Sequence, residues 1–165
     1  MTGLIIDSST DTLILALSTG ESRTHDGAAK IGANLFPLIE EFAPANLSFI
    51  GVGRGPGSYT GTRAAVAAAT GYAQGAGIPL ILFPSLLLFL PEGDSAAALE
   101  VKGSNEFYIL KWEGGTFHET RGALTDEYLL PPFRFETQSI PRITALAKKK
   151  EIPSIEGISY LHQQI

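Results

Sequence analysis

The chain has 165 residues, of which 44% are hydrophobic and 18% charged, and its formal net charge is −5. The apolar fraction excludes a disordered chain, and the acidic balance with only 12 Lys and Arg residues disfavours tight nucleic-acid binding by the chain alone. The absence of cysteine excludes disulfides, thiolate nucleophiles and zinc–thiolate sites.

The longest apolar run, residues 78–90, is interrupted by Pro79 and Pro84, so we expect no membrane span. With no basic leader before the first β-rich run, we also expect no signal peptide and a cytoplasmic protein.

The first part of the chain predicts alternating strands and helices. Two β-rich runs at residues 4–9 and 13–18 are joined by a polar turn, which predicts a hairpin, and residues 22–26 predict a polar edge strand. Asn34 is the predicted N-cap of a helix that extends to residue 43. The remaining predicted elements are a strand at 47–52, a glycine-rich loop, an alanine-rich helix at 58–76, a strand at 79–83 and a short helix at 85–90.

A change of pattern at residues 91–94 predicts a boundary between two lobes, residues 1–90 and 91–165. The second lobe has three predicted strands and one predicted helix with a basic C-terminal end. These elements are strands at 96–101, 106–112 and 116–121, with a turn at Gly114-Gly115 between the last two, and a helix at 140–151.

The most informative segment is Gly53-Arg54-Gly55-Pro56-Gly57-Ser58-Tyr59-Thr60-Gly61-Thr62-Arg63. It lies between a predicted strand and a predicted helix, a geometry that can direct free backbone amides and the positive end of a helix dipole at an anion. It is not a Walker A loop, because no Lys follows the last glycine, and Ser58 replaces the third glycine of a dinucleotide fingerprint. A tight structural turn and a phosphate-binding loop that uses the amides of residues 57–61 both remain open. We expect Gly55 and Gly57 to adopt conformations closed to other residues, with positive φ in at least one of them.

Two of the predicted helices carry surfaces suited to helix packing. The first has an apolar stripe and the second a surface of small residues. The residues concerned are Leu35, Leu38, Ile39 and Phe42 in the first helix, and Gly61, Ala65, Ala68, Ala69 and Tyr72 in the second. Packing on the chain's own sheet and contact with a partner subunit are compatible on opposite faces. If the partner contact exists, Ala68→Arg or Ala69→Arg is expected to break it and leave the fold intact.

Other polar residues give weaker signals. Asp7 ends the first predicted strand, where it can cap the backbone of the following turn or serve the metal–phosphate end of a nucleotide site. The three histidines, His25, His118 and His162, are scattered, and we predict no metal site. Residues 148–150 are all lysine, which is typical of a solvated helix end, with a tRNA contact as the alternative.

The glycine-rich segment resembles the signature of the TsaB (YeaZ) family, bacterial components of the machinery that makes threonylcarbamoyladenosine (t6A) in tRNA. The family commonly has Phe where this chain has Tyr59, and Leu or Val where it has Thr62. The order of elements is also similar, as are residues 6–9, 105–108 and 158–162. The resemblance implies an α/β fold of the actin/Hsp70-like (ASKHA, ribonuclease H-like) type, with a mixed sheet flanked by helices. Residues 122–152 are short for this family, so a trimmed second lobe is expected.

The resemblance also implies a function. TsaB-like proteins are non-catalytic scaffold or activator subunits of the complex that modifies position 37 of tRNA. They pair with the catalytic TsaD subunit through first-lobe helices and help to recruit the TsaE ATPase. We therefore expect no intrinsic cofactor, with ATP and metal on the partner subunits, a possible homodimer, and only indirect contact with tRNA. The signature-loop residues carried over from the family are Gly53, Gly55, Pro56, Gly57, Ser58, Tyr59, Thr60, Gly61 and Arg63, and Glu106 is the expected partner of Arg63.

Two alternatives to the scaffold function stay open. One is a small nucleotide- or phosphate-binding enzyme of the ASKHA type that uses the 57–61 amides and Asp7. The other is a peptidase, as the glycoprotease label of this superfamily suggests. The chain contains no HExxH motif, no Gly-x-Ser-x-Gly elbow and no cysteine, which argues against peptidase chemistry.

Overall fold

The computed structural model describes residues 1–27, 32–125 and 127–149, apart from the side chain of Ala33. The end of the predicted C-terminal helix beyond Lys149, the third lysine of the basic run, His162 and the family-like residues 158–162 lie outside the described residues. The strands are β1 (Thr2–Asp7), β2 (Thr12–Leu17), β3 (Ser22–Asp26), β4 (Leu47–Gly53), β5 (Leu80–Phe83), β6 (Ser95–Glu100), β7 (Phe107–Glu113) and β8 (Thr116–Gly122). The α-helices are α1 (Leu35–Phe42), α2 (Tyr59–Ala76) and α3 (Ile140–Lys149).

The first five strands form one mixed sheet in the order β3-β2-β1-β4-β5. Strands β1, β2 and β3 pair antiparallel, as the predicted hairpin and polar edge strand require, whereas β4 and β5 run parallel to β1. Alternate side chains of β1 point to opposite faces of this sheet. Leu4 and Ile6 pack under α1 and α2, while Ile5 packs against Phe83 on the other face. Both faces are therefore covered, which explains why β1 and β2 are apolar at nearly every position.

The two helices of the first lobe begin differently. Ser58 caps α2, because its Oγ accepts the N–H of Gly61 at 3.2 Å. Asn34 occupies the predicted N-cap position of α1, but its side chain makes no capping bond to the described residues. It ends a preceding 3-10 turn (Gly32–Asn34) and has helix-like dihedral angles (φ −102°, ψ 0°). An N-cap residue needs an extended backbone to direct its side chain at the first free amides. Helix α2 ends at Gly77, in the left-handed conformation typical of a C-cap.

In the part of the chain predicted as the second lobe, β6, β7 and β8 form a separate antiparallel meander. Its predicted hairpin turn is confirmed, since Gly114 and Gly115 both have positive φ (58° and 81°).

Helix α3 packs against β4 of the first sheet and the segment after β5, and its Arg142 lies 5.1 Å from the centroid of the Trp112 ring in β7. Ile143 of α3 packs in the same apolar cluster as Phe83 of the first sheet. Among the described residues, no helix has the length and apolarity needed to cross a membrane.

Candidate functional site

The glycine-rich segment closes against two neighbouring pieces of backbone at the carboxyl end of β4. The N–H of Ser58 donates to the carbonyl oxygen of Ser9 at 2.6 Å, and the Oγ of Ser8 donates to the carbonyl oxygen of Gly61 at 2.6 Å. On the other side, the N–H of Gly55 donates to the Oγ of Ser85 at 2.9 Å. The loop is thus held between the β1–β2 turn and the segment that follows β5. We call residues 53–63 the signature loop.

Glycine is required where this loop touches the β1–β2 turn. A Cβ on Gly57 would overlap the backbone of Ser9, and a Cβ on Gly61 would overlap the carbonyl oxygen of Ser8. The expected positive φ is confirmed at Gly55 (93°) and Gly57 (150°), and the Gly55–Pro56 peptide bond is cis. These glycines therefore permit a close approach between two chain segments.

The hydrogen bonds of the loop weigh against a phosphate site. Of the five amides in residues 57–61, that of Ser58 is bound to Ser9 and that of Gly61 to the Ser58 side chain. A phosphate-binding loop instead presents its amides together to the ligand. Among the described residues, no group of three His, Asp or Glu side chains is arranged to hold a metal ion.

Asp7 lies behind the loop and is completely buried, with 0% of its surface exposed. Its Oδ1 accepts the backbone N–H of Ser9 at 2.9 Å and the Ser9 hydroxyl at 2.7 Å, which confirms its predicted role as a cap of the turn. Its Oδ2 makes no hydrogen bond to the described residues. Burial raises the pKa of the Asp7 carboxyl, and the nearby hydroxyls of Ser85 and Ser9 oppose that shift.

Two arginines of the signature loop have partners that sequence reasoning missed. Arg54 forms an ion pair with Glu119 of β8 and so ties the loop to the second lobe. The predicted pair between Arg63 and Glu106 is wrong. Arg63 lies over the ring of Tyr59, 4.2 Å from its centroid, and Glu106 pairs instead with Arg121. Tyr59 and Arg63 are four residues apart in one helix, which places both side chains on the same face.

The Arg54–Glu119 pair should couple the two lobes more strongly than an exposed pair does. We expect a double-mutant cycle with Arg54→Ala and Glu119→Ala to give a coupling energy of about 1 kcal/mol, because these side chains are only 21% and 33% exposed. The matched cycle on Arg121 and Glu106, which are 50% and 48% exposed, should give about 0.3 kcal/mol. Urea denaturation of the single and double variants measures both energies. Equal couplings would contradict the interpretation of Arg54 as a tie between lobes.

Most of the residues assigned to the partner interface lie in the chain's own core. Six of the nine are buried: Leu35, Ile39, Phe42, Gly61, Ala65 and Ala69. Leu38, Ala68 and Tyr72 are partly buried. The expectation that Ala69→Arg leaves the fold intact is therefore wrong. Ala69 is completely buried in the apolar cluster between α2 and the first sheet, where a large charged side chain cannot be accommodated. The six buried residues therefore pack within the chain and are not available to a partner.

The more exposed side of α2 forms a surface of which the sequence analysis named only Ala68 as a partner contact. Six residues at helical spacing are exposed or half-exposed: Thr60, Ala64, Ala67, Ala68, Gly71 and Gly75. We call them the outer face. Ala64 and Ala68 lie at its edge and also pack against the apolar cluster beneath α2. None of the six is charged, and Arg63 is the single charged residue of α2. Beside it, Phe36 of α1 is 41% exposed and contacts the Tyr72 ring, with 6.1 Å between ring centroids. A solvent-facing helix surface ordinarily carries charged residues.

Comparison with known proteins agrees with this architecture. The family model described as "TsaD: tRNA N6-adenosine threonylcarbamoyltransferase" matches residues 36–153. Among solved structures, YeaZ from Pseudomonas aeruginosa matches with a TM-score of 0.66 at 17% identity, covering 100% of this chain and 99% of that chain. Another match, an uncharacterized protein with similarity to peptidase YEAZ from Pseudomonas aeruginosa, has a TM-score of 0.65 at 18% identity, covering 98% of this chain and 96% of that chain. No curated protein matches the sequence significantly. At these identities the solved structures establish the shared fold, as predicted from the signature loop.

Proposed function

Since the chain belongs to the TsaD family and has the fold of YeaZ, we propose that it is a non-catalytic scaffold subunit of the machinery that makes t6A at position 37 of tRNA. In this role it pairs in the cytoplasm with a TsaD-type catalytic subunit and helps to recruit a TsaE-type ATPase. ATP and metal are held by those partners, and tRNA is contacted through them. A homodimer through the same surface is the form proposed for the free protein.

The observation that carries the proposal is the outer face of α2. An uncharged face of alanine and glycine lets another helix approach at the short end of the 8–10 Å range of interaxial distances. Gly71 and Gly75 leave open space where their side chains would be, since no atom of the described residues lies within 4 Å of either ideal Cβ. Phe36, on α1, adds an exposed aromatic ring at the border of this surface. This surface replaces the buried side of α2 as the proposed contact with the partner.

The internal use of the signature loop supports a non-catalytic role. The amides of Ser58 and Gly55 and the Arg54 side chain bind Ser9, Ser85 and Glu119, and Asp7 has no surface exposed to a ligand. A nucleotide-binding enzyme would need these groups accessible to the phosphates. The geometry therefore favours the scaffold over the small phosphate-binding enzyme.

The Ala67→Arg substitution tests the proposed contact. Ala67 is exposed on the outer face, so an arginine there extends into solvent in the free chain but must be accommodated between helices in a complex. We expect wild type to form a 1:1 complex with the TsaD-type subunit of the same source, and Ala67→Arg to weaken it at least tenfold, about 1.4 kcal/mol. Size-exclusion chromatography with light scattering detects the complex, and calorimetric titration gives the affinity.

Ala145→Arg is the matched control, because Ala145 is an exposed alanine in α3 of the second lobe. It adds the same charge to a helix outside the proposed contact and should leave the affinity unchanged. If both variants bind as tightly as wild type, the outer face is not the contact surface. If wild type itself forms no complex, the scaffold function is wrong.

A further inference from the structure

Asp7 is the buried end of a polar chain that leads to the signature loop. Its Oδ1 accepts hydrogen bonds from the backbone N–H and the hydroxyl of Ser9. The carbonyl oxygen of Ser9 accepts a hydrogen bond from the N–H of Ser58. Ser58 in turn caps α2 through Gly61. Two residues, Ser9 and Ser58, therefore connect the carboxyl group to the first turn of the helix.

A second connection runs through Ser85. The Oγ of Ser85 accepts the N–H of Gly55, and this hydroxyl lies near enough to the Asp7 carboxyl to lower its pKa. Gly53 packs directly on both groups, because a Cβ at that position would overlap the Asp7 Oδ2 and the Ser85 Oγ. The closed loop thus seals Asp7 from solvent on the side of β4 as well as on the side of the turn.

The closed arrangement accommodates a neutral carboxyl better than a carboxylate. Oδ2 is buried and makes no hydrogen bond to the described residues, although the Ser85 hydroxyl lies close to the carboxyl group. Loss of hydration is the largest influence on the pKa of Asp7, and it outweighs the stabilisation that the Ser85 and Ser9 hydrogen bonds give the charged form. No charged side chain is among the causes that shift the pKa of Asp7. Of the charged groups on the elements around it, Asp11 on the turn is exposed, Arg54 after β4 is ion-paired, and Arg63 on α2 lies over an aromatic ring. The segment from β5 through residue 90 carries no charged residue.

We infer that Asp7 is a protonation-dependent latch for the signature loop, which holds the loop closed when its carboxyl is neutral and loosens it when the carboxyl ionises. The latch is a property of the chain itself and does not depend on the proposed partner. The loop includes the first turn of α2. The protonation state of the buried Asp7 carboxyl therefore also determines how firmly the start of that helix is held.

The direction of the pH dependence follows from proton linkage. The closed loop binds the Asp7 proton more tightly than the open loop, in which the carboxyl is hydrated and has its ordinary pKa of 3.8. The closed form is therefore fully favoured below pH 3.8, and this advantage is lost as pH rises through the raised pKa. Between pH 3.8 and the raised pKa, the linkage of one proton predicts an increase in loop opening of about tenfold for each pH unit, and above the raised pKa the opening no longer changes with pH.

Amide hydrogen exchange of the full chain between pH 4.5 and 8.5 tests the latch. Protection factors, corrected for the intrinsic pH dependence of exchange, are compared for the amides of Gly55, Ser58 and Gly61 and for Ala98. The Ala98 amide donates to Leu129 in the second lobe and serves as an internal reference. In wild type we expect the protection factors of the three loop amides to fall at least tenfold as pH rises, while the protection factor of Ala98 stays constant. In Asp7→Asn, whose amide cannot ionise, the loop protection should be independent of pH.

A merely structural role for Asp7 would give pH-independent loop protection in wild type, and that result would overturn the latch. The same pH dependence in Asp7→Asn as in wild type would also overturn it. If Asp7→Asn does not fold, the wild-type carboxyl ¹³C resonance of Asp7 provides the second test. Its titration midpoint must coincide with the pH at which the loss of loop protection levels off, and a clear separation of these two pH values would refute the inference.

Discussion

Gly61→Ala is expected to lower the free energy of unfolding by about 3 kcal/mol. The added Cβ would overlap the carbonyl oxygen of Ser8, and that backbone has little freedom to retreat. Ser8 is 3% exposed, and its hydroxyl donates to the carbonyl oxygen of Gly61 at 2.6 Å. Relief of the overlap would therefore separate the β1–β2 turn from the first turn of α2 and break this hydrogen bond. Urea denaturation followed by circular dichroism measures the loss.

Gly71→Ala in the same helix is the matched control. No atom in the part of the chain that the structure describes lies within 4 Å of its ideal Cβ, so alanine meets no obstacle from those residues. Alanine is preferred over glycine in a helix interior by about 0.8–1 kcal/mol, and the control should gain stability by roughly that amount. A loss at both positions would show that the close approach at Ser8 is not what glycine provides at position 61.

The elements that could be predicted are those fixed by local patterns. The short apolar runs of β1 and β2, the polar residues of β3 and the Gly114-Gly115 pair each determine their structure within a few positions. The signature loop was also predicted as a strand-to-helix turn, because its glycines and Ser58 specify the loop and the cap. Such features depend on backbone dihedral angles and on neighbours in sequence, so they can be predicted without knowledge of the tertiary structure.

The pairings between distant residues could not be predicted. Arg54 and Glu119 are separated by 65 positions, and nothing local in the sequence favours Glu119 over another acidic residue. The buried side of α2 was assigned to a partner for a different reason. Alanine and glycine occur on both sides of this helix, so the contrast in hydrophobicity that normally identifies the core-facing side is weak. Burial distinguishes the two sides, since Ala65 and Ala69 contact the sheet while Ala67 faces outward.

Arg142→Met is expected to lower the free energy of unfolding by about 2–3 kcal/mol. Arg142 of α3 is 9% exposed, and its guanidinium donates to the carbonyl oxygens of Leu90, Pro91 and Gly93 at 3.2, 2.7 and 2.6 Å. It therefore fastens α3 to the segment that connects the two sheets. Methionine keeps most of the apolar stem but leaves these acceptors without their donor, and the cost is greatest for the buried carbonyl of Leu90.

Arg134→Met removes the same charge from the same lobe without that network and serves as the control. Arg134 is exposed, so its replacement should change stability by no more than about 0.5 kcal/mol. A large loss in Arg142→Met with no loss in Arg134→Met would assign the effect to the contacts of the Arg142 guanidinium with the three carbonyls and the Trp112 ring. Equal effects would assign it to net charge.

Because Ile143 of α3 shares an apolar cluster with Phe83 of the first sheet, loosening this attachment should unfold both lobes in one transition. Two separate transitions in Arg142→Met would show that the shared cluster does not make the lobes a single cooperative unit.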